Sequence, residues 1–317
     1  MTKYEKAAQT VVNKCVDIKK GEIVLILASD PMLDIAQHLF IASSRKTRHT
    51  YFMQLPTFRQ KLELHDTVAN LMKQVNVVIA LTTPSISYTP ARLQASAAGV
   101  RIVSMPHITP HAFGRIPNTN FEKVWRRSRK LADILSMAKE VRVTAPNGTD
   151  LFIPIQTRRG VADTGLLDKP GAFSTLPGGK ASIAPDDHGV EGLLIVDSGM
   201  GVHPKDRNQL SIAIKAGRGA RISGGSLARR MSQTVSKYGP SSRLVAEFGI
   251  GINDAAHISG ASLEDEKVLG NIQIAFGNNI GLGGQNDVPV MFNAIVYKAS
   301  VEIDGKIILQ RGKLAME

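Results

Sequence analysis

The chain has 317 residues, of which 43% are apolar and 21% charged, with a formal net charge of +12. These proportions exclude collagen-like and disordered chains, and the length predicts two domains, each able to bury its own core. The single cysteine, Cys15, excludes an intramolecular disulfide and a cysteine-based zinc cluster, and fits a reducing compartment.

Taken in chain order, residues 3–19 carry apolar positions at helical period and stop near Gly21. Residues 22–28 (EIVLILA) form a continuous apolar run of strand length, and residues 31–44 read as a helix with Ser29 and Asp30 as available caps. A strand over 49–55 and a helix over 67–74 follow, then a second buried-type strand over 75–82. Residues 90–98 are helical up to Gly99, residues 100–105 form a third such strand, and a long helix runs from about 120 to 138. Strands that are apolar on both faces and alternate with helices indicate a parallel α/β sheet.

The second half has a different pattern. Residues 141–155 read as a hairpin turning at Asn147-Gly148, because that dipeptide suits the left-handed turn of a tight hairpin. Residues 193–196 are apolar, 210–222 read as strand–turn–strand near Gly217 and Gly219, and a helix covers 226–238. The C-terminus is a hairpin turning at Asp304-Gly305. The fold class expected is therefore an N-terminal parallel-sheet α/β domain, residues 1–138, followed by a β-rich α+β domain, residues 139–317.

The N-terminus lacks the apolar core of a secretory signal, and no stretch of about 20 apolar residues occurs. The expected location is the cytoplasm, with no membrane partner. The densest basic cluster, Arg126, Arg127, Arg129 and Lys130 after Trp125, reads as a solvated helix face. Aromatic residues are 5% of the chain, too few for single-strand stacking, and no nucleic-acid motif occurs, so no nucleic-acid partner is expected.

Common chemical motifs are lacking. Gly217 and Gly219 do not open a helix after a parallel strand, as a dinucleotide fingerprint requires. His107 and His111 are four apart, but Pro106 and Pro110 argue against one helix carrying both.

Four segments stand out: Asp163-Thr164-Gly165 running on to 176–185 (LPGGKASIAP), 246–253 (AEFGIGIN), 263–279 (LEDEKVLGNIQIAFGNN) and 283–293 (GGQNDVPVMFN). With the PNGTDL hairpin before them and VEIDG after them, they resemble the metal-dependent leucyl aminopeptidases of the aminopeptidase T type. That family also contains the 2,5-dihydroxypyridine dioxygenases, which share the fold and use a non-haem iron. The likeness is close over the C-terminal half and is one of layout over the N-terminal part. It also implies self-association, so a homo-oligomer is expected.

The resemblance implies five metal ligands, and this chain departs from it at four. Glu247 is kept. The other glutamate is Lys180, the histidine of the third segment is Gln273, and the histidine and aspartate of the fourth are Met291 and Asn293. Neutral amides and a thioether are poor ligands for zinc or iron, and replacing a carboxylate with an ammonium changes the local charge by two units toward positive. The expectation is a site without metal or other cofactor, in which Lys180 pairs with Glu247 and donates to Gln273 or Asn293. A buried lysine can act as base, nucleophile or anion anchor.

Asp186-Asp187-His188 follows directly, and a histidine beside carboxylates is a candidate acid/base. Lys180, Glu247 and His188 are thus the candidate catalytic residues. Gln273, Asn293, Met291, Asp187 and Asp163 are the candidate substrate-binding residues. The function expected is a metal-independent hydrolase, or a ring-opening or lyase-type enzyme, on a small anionic or cyclic amide-like substrate. The alternatives are a metalloaminopeptidase with displaced ligands and a non-catalytic binding protein on the same scaffold.

Overall fold

The computed structural model describes residues 1–57, 64–200, 202–203 and 210–315. The chain forms two compact units. One is residues 1–122 with 163–178, and the other is residues 123–162 with 179–317.

The first unit is built on a five-stranded parallel sheet in the order Thr50–Leu55, Val24–Ser29, Val77–Leu81, Arg101–Ser104 and Phe173–Thr175. Val24–Ser29 and Val77–Leu81 are buried along their whole length, which explains their unbroken apolar sequence. Helices Leu33–Ser44, Asp66–Lys73 and Pro90–Ala97 connect the strands. Ser29 does not cap the first of these; its hydroxyl accepts from Thr83 N at 3.0 Å. Pro110 starts a helix, Pro110–Arg115, with the Thr109 side chain as cap, since proline is preorganised for the first helical turn. His107 lies before that helix at φ 54°, so it and His111 share no helical face.

The second unit opens with helix Phe121–Met137, which begins just before the unit boundary, and contains two antiparallel sheets. The larger has eight strands, and the Glu140–Thr144 and Asp150–Pro154 hairpin lies at its middle. The smaller runs Ser198–Gly199, Met291–Val296, Ile272–Gly277, Val245–Gly251, Lys180–Ile183 and Val161–Asp163. Alternate residues of the smaller sheet, among them Ile183, Phe248, Ile250, Ile274 and Val296, enter one core with Val141, Leu151 and Leu194 of the larger and Leu131 and Leu135 of the helix. The terminal hairpin, Ser300–Ile303 with Lys306–Gln310, turns at Asp304 and Gly305, both at positive φ. The fold is thus a parallel α/β unit together with antiparallel β-rich sheets. Among the described residues no helix is long and apolar enough to cross a membrane.

Candidate active site

Facing residues of an antiparallel pair point the same way. The registers Gly251↔Lys180, Gly249↔Gln273, Glu247↔Ala275 and Ala275↔Asn293 therefore put Lys180, Glu247, Gln273 and Asn293 on one face of the smaller sheet. This is the face opposite Phe248, Ile250 and Ile274. A bulge between Val245 and Glu247 resets the strand so that Glu247 joins it.

Four side chains from four strands make one continuous line. Lys180 Nζ lies 2.7 Å from Glu247 Oε1 and donates to Gln273 Oε1; Gln273 Nε2 donates to Asn293 Oδ1 at 3.0 Å. Lys180 and Glu247 are 6% and 1% exposed, so this ion pair is formed away from water. Glycine makes the reach possible. A Cβ on Gly249 would sit 3.1 Å from both Lys180 Cδ and Gln273 Oε1. Asn293 and Met291, the latter opposite Gly277, are only half-buried and form the open end of the line.

Two further charges complete the centre. Gly251 has no Cβ to block the backbone of 266–268; one would lie 2.3 Å from Val268 O. That approach seats Glu266, whose Oε1 is 3.3 Å from Lys180 Nζ and 2.7 Å from Lys267 Nζ. The centre therefore brings two lysines and two glutamates together. Glu247 Oε2 is buried and has no hydrogen-bond partner among the described residues. Such an atom costs free energy unless something donates to it.

The other candidates are placed elsewhere. Asp187 faces Arg158 Nη2 at 3.0 Å and accepts from Asn279 Nδ2 at 3.4 Å. His188 is exposed on the turn that follows. Asp186 ties the loop down by accepting from Thr157 N and Oγ1. Asp163 belongs to the first unit, where it accepts from Ser174 Oγ, Thr175 Oγ1 and, at 3.0 Å, Thr175 N. Glu266 and Lys267 were not singled out by the sequence reading. The available signal was the charge run 264–267, which ordinarily marks a solvated stretch but is buried here throughout.

The donor set does not fit a divalent metal. The Lys180 ammonium sits among the oxygens that a cation would use, beside the neutral amides of Gln273 and Asn293. Among the described residues no group of three or more His, Cys, Asp or Glu side chains is placed to hold an ion. A further double positive charge beside a fixed ammonium is repelled.

The model of one family, described as 2,5-dihydroxypyridine 5,6-dioxygenase, matches residues 3–316. A protein named 2,5-dihydroxypyridine 5,6-dioxygenase from Pseudomonas putida KT2440 is 23% identical over 297 residues, covering 86% of this chain and 84% of that protein. The structure of the dioxygenase from the same organism superposes with a TM-score of 0.85 at 19% identity, covering 100% of this chain and 99% of that one. AmpT from Thermus thermophilus superposes at 0.73 and 14% identity, with 99% of each chain covered. These two structural matches establish the fold.

The comparisons overturn the hydrolase reading. The matching family and the named relative are dioxygenases, so neither a hydrolase, an aminopeptidase with displaced ligands nor a non-catalytic scaffold is the assignment they support. Resemblance to the aminopeptidase T group placed the fold correctly, but the reaction class inferred from it is corrected to that of an oxygenase. With the family model spanning nearly the whole sequence, this chain is a member of the 2,5-dihydroxypyridine 5,6-dioxygenase family.

Proposed function

We propose that this protein is an oxygenase that opens a small hydroxylated nitrogen-containing aromatic ring. The match of the dioxygenase family model over residues 3–316 carries this reading. The centre on the smaller sheet supports it, because it offers a buried acceptor beside a fixed positive charge.

In this reading a ring hydroxyl donates to Glu247 Oε2 and leaves its proton there, which satisfies a buried acceptor that has no partner among the described residues. The ring keeps the electron pair as a hydroxylate. Its charge faces the Lys180 ammonium, held in place by Glu247 and Gln273, in a region of low dielectric where such attraction is strong. Asn293 and Met291, at the half-buried end, position the ring. The electron-rich ring is the reductant and molecular oxygen the oxidant. One carbon–carbon bond of the ring breaks and each of its carbons takes one oxygen atom. Four electrons lost by the ring match the four that oxygen gains, so no outside reductant enters. His188 and Asp187, which belong to the same unit as the centre, are assigned to binding or proton exchange at its periphery.

Oxygen uptake with 2,5-dihydroxypyridine and a panel of hydroxypyridines tests the reading. Expected are oxygen consumption, loss of ring absorbance and a product labelled by both atoms of heavy oxygen gas. A panel that consumes no oxygen, or a product whose new oxygen comes only from water, overturns it. We place the protein in the cytoplasm, and as a homo-oligomer, a state that sedimentation of the purified chain checks.

A further inference from the structure

We infer that the first unit carries an anion site at Arg92, which takes the carboxylate group of a small organic acid. Arg92 lies in the first turn of helix Pro90–Ala97 and is 7% exposed; among the described residues no other arginine is buried as deeply. Its Nε donates to Ser87 O at 2.6 Å, and its guanidinium lies 4.3 Å from the centre of the Phe173 ring. Among the described residues its two Nη groups have no hydrogen-bond partner, and no carboxylate pairs with them. Arg101, in the same unit, shows the usual provision for such a group: both oxygens of Glu22 accept from its Nη2 at 2.6 Å.

Several effects disfavour a bare cation at this position. Burial strips water from the guanidinium and lowers its pKa to about 10, with Tyr88 partly opposing this. The first turn is the positive end of the helix dipole. The Phe173 ring attracts the cation but neutralises no charge and fills no N–H. An anion at the Nη groups answers both the charge and the open donors. The guanidinium is also held in place beforehand. Ser85 Oγ donates to Ser87 Oγ at 2.8 Å, and Ser87 Oγ to Ser104 Oγ at 3.3 Å, so the loop whose carbonyl holds Nε is tied to strand Arg101–Ser104. With Nε engaged, the two Nη groups offer a planar fork of N–H donors that matches the two oxygens of a carboxylate. One cation balances a monoanion, which favours a carboxylate over a doubly charged phosphate. All these residues belong to the first unit, and the inference does not depend on which ring is oxidised.

The test uses the full chain at fixed pH and ionic strength, with chloride replaced stepwise by acetate or, separately, by phosphate. The thermal midpoint is measured, and binding of carboxyl-labelled acetate is followed by carbon NMR. The parent's midpoint is expected to rise by a few degrees between about 1 and 100 mM acetate, as for a ligand that binds only the folded chain, and to respond less to phosphate. Arg92→Met, which keeps the length and loses the charge, should bind at least tenfold more weakly and melt in chloride no lower than the parent. If Arg92→Met does not fold, Arg92→Lys takes its place; it keeps the charge without the fork and should also bind more weakly. A parent indifferent to acetate overturns the inference, as does a folded Arg92 variant with the parent's response. A response to phosphate equal to that to acetate overturns the carboxylate assignment. Because the readouts are melting and acetate binding, a failure here is distinct from a failure to consume oxygen.

Discussion

Lys180 lies at the middle of the candidate site. Its ammonium is held between Glu247 and Gln273, and its stem crosses a strand at Gly249, where a Cβ would lie 3.1 Å from Lys180 Cδ. Gly249→Ala should therefore push the lysine aside without unfolding the sheet. The expected result is about a 100-fold loss of oxygen-uptake rate, the scale on which a misplacement of about an ångström acts. The destabilisation should be about 1–3 kcal/mol, as for other overpacked sites, and is read from denaturant unfolding. Cys15 gives a second residue-scale test. It is 1% exposed, and burial pushes its thiol far above the ordinary cysteine range. A thiol reagent should leave the native chain unmodified and label it at the rate of unfolding. Rapid labelling of the folded protein would contradict this burial.

At the scale of elements, the smaller sheet has one apolar face in the core and one face that carries the candidate site. Odd positions of strand Ile272–Gly277 include Gln273 and Ala275, and even positions include Ile274 and Phe276, which enter the core. A change on the apolar face should thus cost stability with little effect on the chemistry. Ile274→Ala removes a fully buried side chain and should cost about 2–5 kcal/mol in urea unfolding, with oxygen uptake by the remaining folded protein close to the parent's. Much of this level was legible beforehand. The apolar runs that became Val24–Ser29 and Val77–Leu81, and the Asp304-Gly305 turn, follow from local rules of burial and backbone conformation. Pro110 acts by position: inside a helix proline breaks the ladder, but here at the first turn it initiates one, and His107 stays outside the helix that carries His111.

For the molecule as a whole, stability is linked to pH through Tyr297 in the second unit. Burial raises its phenol well above the ordinary tyrosine range. A hydrogen bond with Ser198 partly opposes this, and the charges of Asp265 and Asp197 add to it. Its hydroxyl lies 3.4 Å from Asp265 Oδ2. The folded chain therefore holds this proton more tightly than the unfolded chain does. The associated stability is fully present below the unfolded value of about 10 and is lost as pH rises above it. Unfolding measured from neutral to alkaline pH should show the decline, and Tyr297→Phe should flatten it. A decline that is unchanged in Tyr297→Phe assigns it to another group. The basic cluster belongs to the surface at this scale: Arg126, Arg129 and Lys130 are exposed, with the Arg129 guanidinium 5.1 Å from the Trp125 ring centre.

By itself the sequence determined the two kinds of layer, the hairpin turns and the chemical departures at Lys180, Gln273, Met291 and Asn293, because periodicity and residue type are local properties. Only the tertiary structure decided that strand Phe173–Thr175 returns to the parallel sheet of the first unit, and that Lys180 meets Gln273, 93 residues away. It also decided that the charges at 264–267 lie inside the protein. These outcomes depend on strand order, register and the close backbone approach at Gly251, which arise from pairing between distant segments and leave no periodic trace along the chain.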